Sequence, residues 1–330
     1  MKKINLFLVL FVCMGHVFAQ FHPKENERVN VIFDSDMGPD YDDVGAIAML
    51  HAYADSGYVN ILGTIASTRY EGVASVFDVF NTYYGRPELP IGVPTDALNR
   101  RDWQFWTDTI RVNYPHKIKV NNDAFDAVEL YRKILASQPD SSVTIITVGF
   151  FSNIANLLKS APDKWSSLDG RQLVERKVRL MVSMAGGFPK GREFNVDRDV
   201  EASIYTFDHW TKPILFSGFE VGKVIFTGLP LVANENIKNS PTKDVFRICI
   251  PQSVHDVKGR MSWDQTAVLV GVKGYAPYYS IKRGRIIVSH DGRNEWHDDE
   301  NGNHAYLVEE MDHKKVEELI EHTMGHQPIK

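Results

Sequence analysis

Six short apolar runs, many carrying β-branched residues, recur along the chain: VNVIF (29–33), VNILGTIA (59–66), VTIITV (143–148), VRLMVSM (178–184), PILF (213–216) and RIIVS (285–289). Between them, apolar residues return at helical spacing over 43–54, 73–84, 123–137, 152–160, 200–209 and 264–271. Strands alternating with helices predict βαβ units, so the expected fold is α/β, a mostly parallel central sheet flanked by helices. VTIITV is apolar without alternation, as a strand covered on both faces is. Two polar stretches interrupt the pattern. Residues 95–122, with NRRDWQFW and NYPH, read as a large loop inserted over the sheet edge, and HDGRNEWHDDENGNH (290–304) reads as a second one. No Pro/Gly/Ser-rich linker divides the chain, so one domain over 20–330 is expected.

The first residues depart from this pattern. MKKINLFLVLFVCMGHVFAQ opens with Lys2 and Lys3, continues apolar from Ile4 to about Met14, and offers a small-residue cleavage site ending at Ala19. That is the form of an export signal over 1–19, too short in its apolar part to span a bilayer. Export to the periplasm or outside the cell is the expectation, with no membrane partner once the signal is cleaved. Cys249 is then the single cysteine, so an internal disulfide is excluded and stability must come from the core or from bound metal. A formal net charge of -5 offers no basic field to a nucleic-acid backbone, and that partner class is set aside.

VIFDSDMGPDYDDVGAIAML (31–50) places five aspartates, Asp34, Asp36, Asp40, Asp42 and Asp43, within ten positions at the carboxyl end of the first strand. In open α/β sheets ligands bind at such ends. One aspartate would be accounted for as a cap on the helix beginning near Val44. The rest need a positive partner, because acids this dense raise one another's pKa. Oxygen donors suit a hard cation such as Ca2+ or Mg2+. No His/Cys set stands at zinc spacing, and the run lacks the closing glutamate of an EF-hand loop. Two enzyme classes fit these residues. One is a Mg-dependent phosphatase with an aspartyl nucleophile after its strand, although Gly38 stands where that family has Thr or Val. The other hydrolyses a glycosidic bond with metal-bound water.

DSDMGPDYDDVGAIAML resembles the amino-terminal signature of the nucleoside hydrolases, Asp-x-Asp-Pro-Gly-x-Asp-Asp before an apolar helix, with Met37 in place of the proline and two extra residues before Asp42-Asp43. Three further stretches resemble that family in its order: VTIITVGFFSNIANLL (143–158), MAGGFPKGREFNVDRDVEAS (184–203) and SWDQTAVL (262–269). The likeness runs from about residue 30 to 270. It implies a Ca2+-dependent N-glycosidase acting on a small-molecule nucleoside or pentoside. By position it implies Ca2+ held by Asp36, Asp43, Asp264 and the main-chain carbonyl of Val148, with Asp36 also the general base and Asp34 standing behind to orient them. Asp42, Glu193 and Asn195 would hold ribose hydroxyls, and Asp40 is the substitute if the two extra residues shift the register. Trp263 stands where the purine-preferring branch has a tryptophan that stacks on the base; core packing is its competing role. Trp103 and Trp106 are candidates for the opposite wall.

The chain departs from that family at two sugar contacts. FPKGR (188–192) lacks the asparagine expected there, leaving Lys190 or Arg192, and ASTRY (66–70) lacks a Gly-Asn, leaving Thr68 or Arg69. The alternative of a non-catalytic sugar- or nucleoside-binding homologue rests on these losses, and self-association into a homo-oligomer is left open.

Overall fold

The computed structural model describes residues 20–23 and 27–328; the export signal assigned to residues 1–19 lies outside them. The strands in chain order are β1 (Val29–Ser35), β2 (Val59–Ala66), β3 (Ile91–Val93), β4 (Phe125–Asp126), β5 (Val143–Thr147), β6 (Val178–Met184), β7 (Lys190–Gly191), β8 (Ile214–Ser217), β9 (Phe226–Thr227), β10 (Arg260–Met261), β11 (Tyr279–Val288), β12 (Asn294–Asp298) and β13 (His304–Glu309). Among the described residues, eleven of them form one sheet in the order β4-β3-β2-β1-β5-β6-β8-β13-β11-β12-β7. Pairing is parallel from β4 through β13 and antiparallel across β11, β12 and β7. The fold is α/β with a mostly parallel sheet flanked by helices.

Every residue of β5 is buried. In β1 the period of two sorts side chains between two cores: Val29, Val31 and Phe33 pack on one face, and Ile32 packs on the other with Ile65, Ile145 and Met181. The helices predicted from apolar spacing form at Asp42–Asp55, Val73–Tyr83, Ala127–Ser137, Ser152–Lys159, Val200–His209 and Trp263–Lys273.

Both polar stretches hold more regular structure than their composition suggests. Residues 95–122 carry a helix, Trp106–Asn113, whose first side chain is wholly buried. Residues 290–304 contain β12, which forms a hairpin with β11 and receives β7 on its outer edge. Strands on a sheet rim keep one polar face, which is why NEWHD reads as loop. Two amphipathic helices, Pro241–Cys249 and His313–Met324, lie outside the segments read from the sequence, each burying one apolar stripe. Cys249 is buried and unbridged, and no helix among the described residues is long and apolar enough to cross a membrane.

Candidate active site

The parallel strands deliver their carboxyl ends to one cavity of about 240 Å³. Its lining includes Asp36, Asp40, Asp42, Val148, Glu193, Asn195, Arg260, Trp263 and Asp264. Eight of these come from the sequence reading, drawn together from positions 36 to 264. A larger cavity, about 490 Å³, lies by Tyr53, Glu321 and His326 at the carboxyl end of helix Asp42–Asp55 and holds none of the candidate site residues.

Local structure explains how the acids are tolerated. Asp42 and Asp43 occupy the first turn of helix Asp42–Asp55, and Asp264 the first turn of helix Trp263–Lys273. The partial positive charge of a helix amino terminus favours carboxylates there. Neither Asp42 nor Asp43 serves as the cap: Tyr41 takes that position without a side-chain bond. The two helices approach closely at Gly45, where an added Cβ would stand 2.3 Å from the Gln265 amide.

Asp36 is carried at the end of β1 against Gly149, which follows β5. A Cβ on Gly149 would lie 2.4 Å from the Asp36 amide nitrogen and 2.3 Å from Ser67 Oγ. We expect Gly149→Ala to cost about 1–3 kcal/mol of stability and to displace Asp36. Thermal unfolding and turnover measured together should therefore both fall.

Met37 stands where the resemblance would place proline, and its backbone explains the difference. Its φ is 27°, which a proline ring cannot adopt, and its N–H donates to Ser35 Oγ at 3.0 Å and to Asp43 Oδ1 at 3.1 Å. Ser35 Oγ also donates to Asp43 Oδ1. These bonds fix one oxygen of Asp43. The other, Oδ2, is buried with no partner.

Asp34 lies deeper. Its Oδ2 accepts from Tyr131 Oη at 2.7 Å and from Asn153 Nδ2 at 3.0 Å, and its carbonyl accepts the Val148 N–H at 2.8 Å. Asp34 thus braces the backbone at Val148, whose own carbonyl lies 3.4 Å from Asn195 Nδ2. Glu193 caps the short helix Phe194–Arg198, its carboxylate accepting the N–H groups of Asn195 at 2.8 Å, Gly186 at 3.1 Å and Val196 at 3.2 Å.

Burial dominates the electrostatics. It pushes Asp34 and Glu193 each up to about 7, despite their hydrogen bonds. Asp43 is pushed to about 6 by burial and then by Asp42. Asp36 is raised well above the carboxylate range by burial, then by Asp43, and Asp264 likewise by burial, then by Asp42.

Arg260 is the residue that sequence reasoning missed. Its Nη2 lies 2.5 Å from Asp40 Oδ2 and 2.6 Å from Asp42 Oδ1, and its Nε reaches the same Asp42 oxygen at 3.1 Å. Burial opposes its charge, but Asp42 and Asp40 outweigh that and hold Arg260 well above its ordinary value. The only trace of it in the sequence is a basic residue three positions before Trp263.

A metal ion fits this donor set. The ligand oxygens of Asp40, Asp42 and Asp43 approach within 4.8 Å of one another, and the unpartnered Asp43 Oδ2 needs a positive neighbour. The expected trio Asp36, Asp43 and Asp264 does not close to that spacing among the described residues; Arg260 bridges Asp40 and Asp42, whereas the other acids have no such bridge.

Several candidates lie elsewhere. Trp106 is packed in the core, and Trp103 is exposed without lining the cavity. Arg192 pairs with Asp197 at 2.6 Å, Lys190 is exposed on β7, and Thr68 and Arg69 bond the carbonyls of Leu98 and Ala97 in the 95–122 stretch. The aromatic members of the cavity are Phe194, Phe219 and Trp263. Trp263 stacks on Phe219 with centroids 5.2 Å apart, and its Nε1 donates to the Phe219 carbonyl at 2.9 Å.

Comparison with known proteins follows the same lines. The family described as inosine-uridine preferring nucleoside hydrolase matches residues 31–318. A curated relative, the inosine-uridine preferring nucleoside hydrolase of Leishmania major, is 25% identical over 189 residues, 54% of this chain. The match spans 56% of that relative, a little over half its length. Among solved structures, a plant nucleoside hydrolase superposes with a TM-score of 0.70 at 16% identity, covering 91% of this chain and 99% of that one. A purine-preferring ribonucleoside hydrolase from Gardnerella vaginalis superposes with a TM-score of 0.69 at 16% identity, covering 90% of this chain and 98% of that one.

Proposed function

The chain belongs to the inosine-uridine preferring nucleoside hydrolase family, and from that premise we propose that it is an exported, Ca2+-dependent hydrolase of the N-glycosidic bond of purine nucleosides. The observation that carries this reading is the convergence of Asp36, Asp42, Glu193, Asn195 and Asp264 on one cavity beside the unpartnered Asp43 Oδ2. Asp36, Asp43, Asp264 and the Val148 carbonyl would hold the ion. When bound, Ca2+ supplies Lewis-acid polarisation and a template for sugar hydroxyls.

The chain's own groups do the rest. Asp36 accepts the proton of the attacking water as general base. Breaking the bond leaves positive charge on the sugar ring, and the surrounding carboxylates stabilise it electrostatically. Asn195, fixed by Glu193 and facing the carbonyls of Val148 and Met184, is placed to meet a sugar hydroxyl. Phe194, Phe219 and Trp263 give the leaving base an apolar surround, which suits the larger area of a purine.

The substrate should be uncharged beyond its base. Neither Lys190 nor Arg192 lines the cavity, and Arg260 is already engaged by Asp40 and Asp42. Reducing-sugar release from a nucleoside panel, with and without chelator, tests the proposal. We expect turnover of inosine or guanosine that chelation abolishes. The corresponding 5′-monophosphates should show kcat/KM lower by at least about tenfold, roughly 1.4 kcal/mol of repulsion in an acid-lined cavity. Absence of base release from every nucleoside would instead leave the non-catalytic binding role, and phosphate release the phosphatase one.

A further inference from the structure

Three acids of the cavity lining, Asp40, Asp42 and Glu193, are not expected ligands of the ion, and Arg260 is the one basic side chain in that lining among the described residues. Arg260 is fixed from several directions. It lies on β10, which pairs with β9, and the preceding Gly259 has a φ of 106° that brings it against Thr227, where a Cβ would stand 2.6 Å from the carbonyl oxygen. Ser262 and Thr227 join their hydroxyls at 2.7 Å on the same ribbon. Above the guanidinium, Tyr41 and Trp263 present their rings, 5.0 and 5.1 Å from Cζ. Tyr41 is held by its hydroxyl bond to Asp256 at 2.7 Å.

A side chain so restrained acts as a permanent cation. Asp40, Asp42 and Asp43 form the tightest carboxylate trio of the described residues, so without Arg260 an added ion would be drawn to the Asp40–Asp42 edge. With Arg260 present that edge is already bridged, and the buried, unpartnered Asp43 Oδ2 remains for an ion shared with Asp36 and Asp264. The two donors converging on Asp42 Oδ1 also fix the rotamer of the carboxylate proposed to meet the sugar.

We infer that Arg260 is a positioning residue: an internal cation that occupies the Asp40–Asp42 edge of the acid cluster, confines the metal ion to the Asp36–Asp43–Asp264 edge and orients Asp42 toward the sugar. This rests on the calcium-dependent reading above. Calorimetric titration of chelator-treated protein with Ca2+ tests it, alongside nucleoside kinetics. Wild type should bind one ion. Arg260→Met should bind two, with KM raised about tenfold or more and kcat changed less. The double variant Arg260→Met/Asp40→Asn should return to one ion. Arg260→Lys keeps the charge but loses the two-donor fork, so it should bind one ion with a raised KM. Wild type binding one ion while Arg260→Met also binds one, at unchanged affinity, overturns the inference alone. Raised KM without a second ion overturns the confinement as well. Wild type binding none overturns the metal reading and this inference with it. If Arg260→Met fails to fold, an unchanged KM in Arg260→Lys is sufficient to reject the role.

Discussion

Asp36→Asn should lower kcat by about 10²- to 10⁴-fold, the span a positioned general base contributes. The substitution keeps the shape of the side chain and an oxygen that can still face a cation, but removes the charge and the proton acceptor. Two roles assigned to Asp36 can therefore be separated. If it served only as a ligand, saturating calcium would restore much of the rate; as base, the loss persists however much calcium is present. The fold should tolerate the change, because Asp36 is nearly inaccessible and its ionised form is disfavoured by burial and by Asp43. Unfolding of the metal-free variant should thus occur at or above the wild-type temperature. A rate within a few-fold of wild type would remove Asp36 from the chemistry.

The sequence displayed the architecture wherever burial was strong on both sides. β5 and helix Ser152–Lys159 lie close to the spans their apolar pattern predicts, because both pack into the interior. The rim was hidden: β12 keeps one solvent-facing side, and β7 has only two residues, too short to carry a period. The acids of the site were visible because carboxylates are rarely placed at buried strand ends without cause. Arg260 was not, since a lone arginine looks the same whether it is solvated or buried between aspartates. Asn153 sat inside a recognised stretch, yet its bond to Asp34 across 119 positions depends on β1 and β5 being neighbours.

Charge distribution connects the fold to the proposed chemistry. Two helix amino termini and one guanidinium offset part of the negative cluster, and packing at residues outside the cavity lining holds all three. Gly45 lets the helices meet, and Gly259 lets the Arg260 ribbon pass Thr227. What they leave is an excess of negative charge at Asp36, Asp43 and Asp264. That excess would destabilise the metal-free protein and drive uptake of the proposed divalent cation. A site of this kind stores stability in its ligand rather than in its core.

Thermal stability of the chelated protein should consequently fall as pH rises from 5 to 8, and added calcium should reverse the fall. Asp34, Asp43 and Glu193 are raised to about 7, 6 and 7, above the values near 4 that the unfolded chain has. A carboxyl with a higher pKa in the folded state binds its proton more tightly there, so folding is favoured at low pH. The advantage is lost as pH climbs through the interval between the unfolded and folded values, about 4 to 7, and is absent at pH 8. On the calcium-dependent proposal the ion would bind the ionised cluster, so its effect should be small at pH 5 and large at pH 8. At a free concentration 100 times its Kd the gain is about 2.7 kcal/mol, a rise in Tm of about 4 °C for a chain of this size. Melting curves in EDTA and in calcium at the two pH values measure both trends. A chelated protein that grows more stable with rising pH, or a calcium shift equal at pH 5 and pH 8, would show that the buried acids are neutralised by their protein neighbours alone.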